Sequence, residues 1–174
     1  CHQYTEDRGS KELRSAIAEA YGRWYQWPVD PEREVMVLCG VTEAIIAAVL
    51  ATVEAGEQIV IIEPAHENYL AAARFAGAIP VWVSLEAPTF RLNLEAIEAA
   101  FTKGARHLIF NSPHNPTGRV FDETELSGLA ELCVRHDVSV ITDEIYEHII
   151  YDGRAHLPLA RFPGLEPSEE GVER

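Results

Sequence analysis

Short apolar runs in this chain break off abruptly into polar, turn-forming clusters. Gln58 to Ile62 (QIVII) ends in Glu63-Pro64-Ala65-His66, and His107 to Phe110 (HLIF) ends in Asn111-Ser112-Pro113-His114-Asn115-Pro116-Thr117-Gly118. Val138 to Ile141 (VSVI) ends in Thr142-Asp143-Glu144-Ile145-Tyr146. Runs of four or five apolar residues bounded by such punctuation read as strands buried on both faces, the mark of a parallel sheet. Helix-patterned stretches separate them. The clusters therefore fall at the carboxyl ends of parallel strands, where open α/β sheets bind their ligands. An amide, two prolines, an acid and a phenol are poor core material, and together they read as a site.

The rest of the chain suits that architecture. Ser10 can cap a helix from Lys11 to about Tyr25 with Leu13, Ile17, Ala20 and Trp24 on one face, ended before Pro28 and Pro31. Glu34 to Cys39 (EVMVLC) reads as a first strand. Gly40-Val41-Thr42 then opens a helix to about Val53, ended by Gly56. A small turn running straight into a helix points free N–H groups and the positive dipole end at an anion, commonly a phosphate. A helix from about Asn68 to Phe75, a strand Ile79 to Val83, a helix Leu92 to Phe101 with Leu94, Ile97 and Phe101 inward, and a helix Glu123 to Arg135 complete the pattern. The second and third of these clusters are 143 − 115 = 28 residues apart from Asn115 to Asp143, which suits one strand-helix-strand unit. From Pro163 the composition turns to Gly, Pro and Glu, and residues 163–174 read as an exposed loop.

Composition narrows the function classes. The 174 residues are 47% hydrophobic with a net charge of −14, a soluble α/β balance that argues against nucleic acid and against an anionic membrane surface. Cys1, Cys39 and Cys133 are odd in number and scattered, the pattern of reduced thiols in a cytoplasmic protein. No Gly-x-Gly-x-x-Gly follows any strand, which disfavours a dinucleotide-binding dehydrogenase. A chain beginning at Cys1 rather than methionine is expected to start inside a longer gene.

Four motifs in order, Tyr4, Gly40-Val41-Thr42-Glu43-Ala44, Asn115-Pro116-Thr117-Gly118 and Asp143-Glu144-Ile145-Tyr146, resemble those of fold-type-I pyridoxal-phosphate enzymes, specifically class I/II aminotransferases. The resemblance implies an α/β fold of three αβα layers on a mostly parallel sheet, the partial large domain of the aminotransferase fold, spanning residues 1–174. It implies pyridoxal 5′-phosphate as cofactor, with Asp143 paired to the ring nitrogen and Asn115 and Tyr146 donating to its phenolic oxygen. Val41 and Thr42 would offer N–H groups, and Thr42 its hydroxyl, to the phosphate. Tyr4, in the pattern Tyr-x4-Gly-x3-Leu-Arg with Gly9, Leu13 and Arg14, would reach the phosphate of the neighbouring subunit in a homodimer. His66 stands where the family usually stacks Tyr, Phe or Trp on the ring; an imidazole can stack, and it can titrate. Tyr69, one helical turn on, is open to two readings, pocket or core. Cis peptide bonds are expected at Glu63-Pro64 and Asn115-Pro116.

The chain contains only Lys11 and Lys103, neither in the context of the family's cofactor-bearing lysine. The resemblance therefore implies a partial chain that lacks the N-terminal segment, the lysine strand, the later arginines and the C-terminal small domain, and a polypeptide inactive and poorly folded by itself. The activity implied is transfer of an amino group from an amino acid to a 2-oxo acid. Two other readings stay open: a carbon–sulfur β-lyase on the same scaffold, and an aminotransferase-like ligand-sensing domain of a transcription regulator.

Overall fold

The computed structural model describes Tyr4 and residues 6–165; Cys1 and most of the predicted 163–174 loop lie outside the described residues. The chain divides into two compact units, residues 1–44 and 45–174.

In the first unit, α1 (Lys11–Tyr25) starts where Ser10 accepts a hydrogen bond from the Leu13 N–H, as its sequence predicts. Leu13 and Trp24 are exposed, and the fully buried side chain on this helix is Arg14. Its guanidinium donates to Glu6 at 2.9 Å, Glu32 at 3.0 Å and the Gly9 carbonyl at 3.1 Å. Three acceptors around one buried cation offset the loss of its hydration, and they pin the segment that carries Tyr4.

The expected first strand is corrected. Glu34 to Cys39 forms no strand. A strand is stabilised by a hydrogen-bonded neighbour, and among the described residues this segment makes one bond to a distant segment, Val37 N–H to the Arg8 carbonyl, beside local bonds to Asp30, Gly40 and Glu43, in place of a ladder. β-branched composition made the segment look like a strand, but composition cannot supply the pairing.

α2 (Val41–Thr52) carries the chain from the first unit into the second, where the strands predicted at four later positions and the helices between them are all present. β1 (Gln58–Glu63), β2 (Ile79–Ser84), β3 (His107–Asn111) and β4 (Ser139–Asp143) form one parallel sheet in the order β2-β1-β3-β4. Between them run α3 (Glu67–Phe75), α4 (Leu94–Thr102) and α5 (Glu123–Arg135), and a 3-10 turn, Leu159–Arg161, follows β4. On one face of the sheet, Val60, Ile62, Leu108 and Phe110 pack with Ile97 and Phe101 of α4 and with Leu126, Leu129 and Cys133 of α5. The alternate residues Ile59, Ile61 and Ile109 are equally buried and belong to the opposite face. α3 packs against β1 and β2, and its buried Tyr69, Ala72 and Ala73 are no part of the first cluster. Helices on both faces of a parallel sheet make the three-layer α/β arrangement that the family resemblance implies, on the parallel strands that the apolar runs predict.

Candidate functional site

Parallel pairing brings the ends of β3 and β4 into register, Asn111 opposite Asp143. Asn111 is buried and works in two directions. Its amide N–H donates to the Asp143 carbonyl at 2.8 Å, and its side-chain oxygen accepts from the Asn115 N–H at 2.7 Å. One side chain thus fixes the loop after β3 against the end of β4. The loop is turned further by cis bonds at Ser112-Pro113 and Asn115-Pro116; the Glu63-Pro64 bond after β1 is also cis, so both expected positions are cis and Ser112-Pro113 and Ala87-Pro88 are additional.

His114, buried in the same loop, holds it from inside. Its Nδ1 lies 2.8 Å from the Thr117 hydroxyl, and its ring meets the edge of Phe121. Burial lowers its pKa from 6.5 to about 4, partly opposed by a hydrogen bond to the Pro64 backbone. A neutral His114 therefore links the loop after β3 to the loop after β1.

Asp143 is 7% exposed. One carboxylate oxygen accepts from the Ile145 N–H at 3.2 Å, and the other accepts from the Tyr69 hydroxyl at 2.7 Å. Among the described residues no lysine, arginine or histidine forms an ion pair with it. Beyond it the chain makes two turns, Glu147 N–H to the Glu144 carbonyl and Ile149 N–H to the Tyr146 carbonyl, and Glu144 holds His156 at 3.0 Å. These turns bring Tyr146 beside Asn115: both line an open recess with Pro113, His114, Ile149 and Tyr151.

Tyr69 was open to two readings in the sequence and answers to both. It is 3% exposed, yet its hydroxyl ends on Asp143. Burial, and then the Asp143 carboxylate and Tyr146, raise its pKa well above the usual phenol range, so it stays protonated and donates. His66 caps α3, its Nδ1 accepting from the Asn68 N–H at 3.3 Å, with its ring centroid 6.0 Å from that of Tyr69. The imidazole expected to stack thus already has a ring nitrogen engaged as a helix cap.

Tyr4, Val41 and Thr42 belong to the first unit. Tyr4 is fully exposed, Val41 is half-buried and Thr42 is exposed at the start of α2. Neither lysine stands at a strand end: Lys11 pairs with Glu32 at 3.4 Å on α1, and Lys103 caps the C-terminus of α4, before β3 begins.

Residues 1–170 match the family of aminotransferases of class I and II. The chain belongs to that family. Among its relatives, the N-succinyldiaminopimelate aminotransferase structure from Mycobacterium tuberculosis superposes with a TM-score of 0.91 at 46% identity, covering 94% of this chain and 43% of that one. The aromatic aminotransferase structure from Pyrococcus horikoshii OT3 gives 0.89 at 39% identity, with 94% and 44% covered. Kynurenine–oxoglutarate transaminase 1 of Homo sapiens is 35% identical over 175 residues, 94% of this chain and 42% of the relative. The chain thus spans about two fifths of the length of the curated relatives it matches.

Proposed function

We propose that the protein carrying this chain is a pyridoxal-phosphate-dependent aminotransferase that moves an amino group from an amino acid to a 2-oxo acid, and that residues 4–146 contribute to its cofactor site. The observation that carries this reading is Asp143. A carboxylate this buried, with two neutral donors and, among the described residues, no cationic side chain in ion-pair reach, suits a cationic ligand group. A protonated pyridine nitrogen is such a group, and the donor set fits it, since each carboxylate oxygen keeps an acceptor position unused.

When bound, the cofactor supplies an electron-accepting ring conjugated to the substrate's reacting carbon. The chain's own part is to hold charge and orientation. Asp143 keeps a proton on the ring nitrogen. Asn115 and Tyr146, beside each other on the recess, offer an amide N–H and a phenol O–H to the ring's phenolic oxygen. His66 would offer its ring to a face of the cofactor, and Val41 and Thr42, opening a helix, would hold the phosphate. The amine that moves the proton comes from outside these residues. We further place the protein in the cytoplasm, supported by the free thiols of Cys39 and Cys133, and in a homodimer whose neighbouring subunit is reached by the exposed Tyr4.

The test uses the full-length protein loaded with pyridoxal phosphate. Asp143→Ala is expected to lower kcat/KM by about a thousandfold, about 4 kcal/mol of transition-state stabilisation, with an unchanged far-ultraviolet dichroism spectrum. Turnover within tenfold of the parent, at full cofactor occupancy, would show that the carboxylate has another job.

A further inference from the structure

Tyr69 stands outside every motif that pointed to the site, and it lies 74 residues from the carboxylate it touches. Three observations distinguish it from a tyrosine that merely fills space. Its ring is buried in α3 against the sheet, so the hydroxyl has a fixed direction. The O–H···O distance to Asp143 is 2.7 Å, within the range of a charge-assisted bond. The remaining donor to Asp143, the Ile145 N–H, comes from the chain's own turn at 3.2 Å, so Tyr69 is the sole side chain among the described residues that donates to this carboxylate.

A hydrogen bond donated to a carboxylate stabilises its anionic form and makes it a weaker base. In a dry site, where a carboxylate and a pyridine nitrogen share one proton, that donor decides on which side the proton rests. Resting on the ring it leaves an ion pair; resting on the carboxylate it leaves two neutral partners and a poorer electron sink.

We infer that Tyr69 is a positioning residue that sets the protonation of the cofactor ring through Asp143: its phenol aims the carboxylate and, by weakening it as a base, keeps the shared proton on the ring nitrogen. This rests on the assignment of Asp143 made above. Tyr69 itself never contacts the ring nitrogen and moves no proton. Burial keeps its phenol protonated, so it acts as a constant donor throughout the range in which enzymes work.

The experiment is nitrogen NMR of the full-length protein loaded with pyridoxal phosphate labelled with nitrogen-15 in the ring. The parent is expected to show the resonance of a protonated ring. Tyr69→Phe keeps the packing and removes the donor, and should move that resonance toward the unprotonated position. Replacing Tyr69 by 3,5-difluorotyrosine, nearly the same shape but a stronger donor, should hold it at or beyond the parent's value. A purely structural tyrosine would produce no such ordering. A parental resonance in Tyr69→Phe, or a difluorotyrosine protein whose resonance moves with the phenylalanine variant's, overturns the inference. Asp143→Ala separates the two readings: if it abolishes the protonated resonance while Tyr69→Phe leaves it intact, only the role of Tyr69 falls. If the resonance survives in Asp143→Ala as well, the assignment of the carboxylate falls with it.

Discussion

His114 illustrates what a single side chain contributes to holding this site. In the folded protein it accepts a proton only below about pH 4, because burial disfavours the cation; unfolded, it does so below the ordinary 6.5. Between those values the unfolded chain binds more protons than the folded one, so stability is complete above about 6.5 and falls as pH drops toward 4. The difference corresponds to at most about 3 kcal/mol. Urea unfolding of the full-length protein should therefore show a midpoint that declines across this window, and His114→Gln should flatten the decline; parallel curves would mean that another group is responsible. Residues of this kind were the least legible in the sequence. Asp143, Asn115 and Tyr146 stood out because polar groups at the ends of apolar runs have no place in a core. Asn111 and His114 sit in the same stretch, but their work is contact with Asp143 and Pro64, and nothing in their spacing announces it. For Tyr69 the sequence leaves pocket and core equally open, and only the fold, by bringing it to the end of β4, shows the contact with Asp143.

At the scale of elements, local rules carried the helices and failed where pairing decides. Ser10 caps its helix by the side-chain bond its residue type suggests, Asp122 does the same for α5 without having been singled out, and α5 starts and stops where its pattern does, at Glu123 and Arg135. Glu34 to Cys39 has a strand's residues but no partner strand among the described residues, and no strand forms. The N-terminus of α5 shows how much one element can rest on one residue. Glu125 is 4% exposed; it accepts from the Asp122 N–H to close a capping box, from the Leu92 N–H ahead of α4, and from the Arg119 guanidinium at 2.6 Å. Removing its carboxylate leaves Arg119 mostly buried with no counter-charge, and leaves the Leu92 N–H without an acceptor. Glu125→Ala is expected to destabilise the protein by about 3 kcal/mol or more, against about 1 kcal/mol for Asp122→Ala, which loses only the cap. Thermal melts of the two variants in the full-length protein check the ordering. Equal losses would mean that the cap, and not the buried pair, is the larger contribution.

For the molecule as a whole, the sheet has two edges, β2 and β4, and β4 carries the candidate site at its end. Just past that end the chain exposes Ile145, Ile149 and Tyr151, each more than half accessible. Apolar side chains beside a parallel edge that has no partner strand among the described residues are a template for further chain, and the relatives, more than twice as long, have chain to place somewhere. Against association stands the net charge of −14, a repulsion that reaches about 10 Å at 0.1 M salt and about 3 Å at 1 M. A polypeptide of these 174 residues is therefore expected to remain dispersed at low ionic strength and to associate as salt is raised, because screening removes the repulsion while the apolar edge keeps its attraction. Light scattering across a sodium chloride series reads this directly. Substituting Ile145 and Ile149 with lysine lowers the net repulsion, so charge alone predicts earlier association; an edge-driven contact predicts that association is delayed, since a charge placed on the contact must be desolvated to form it. A polypeptide that stays monodisperse through the whole salt series, with a sharp melt, would show that the edge after β4 is already satisfied by these residues alone.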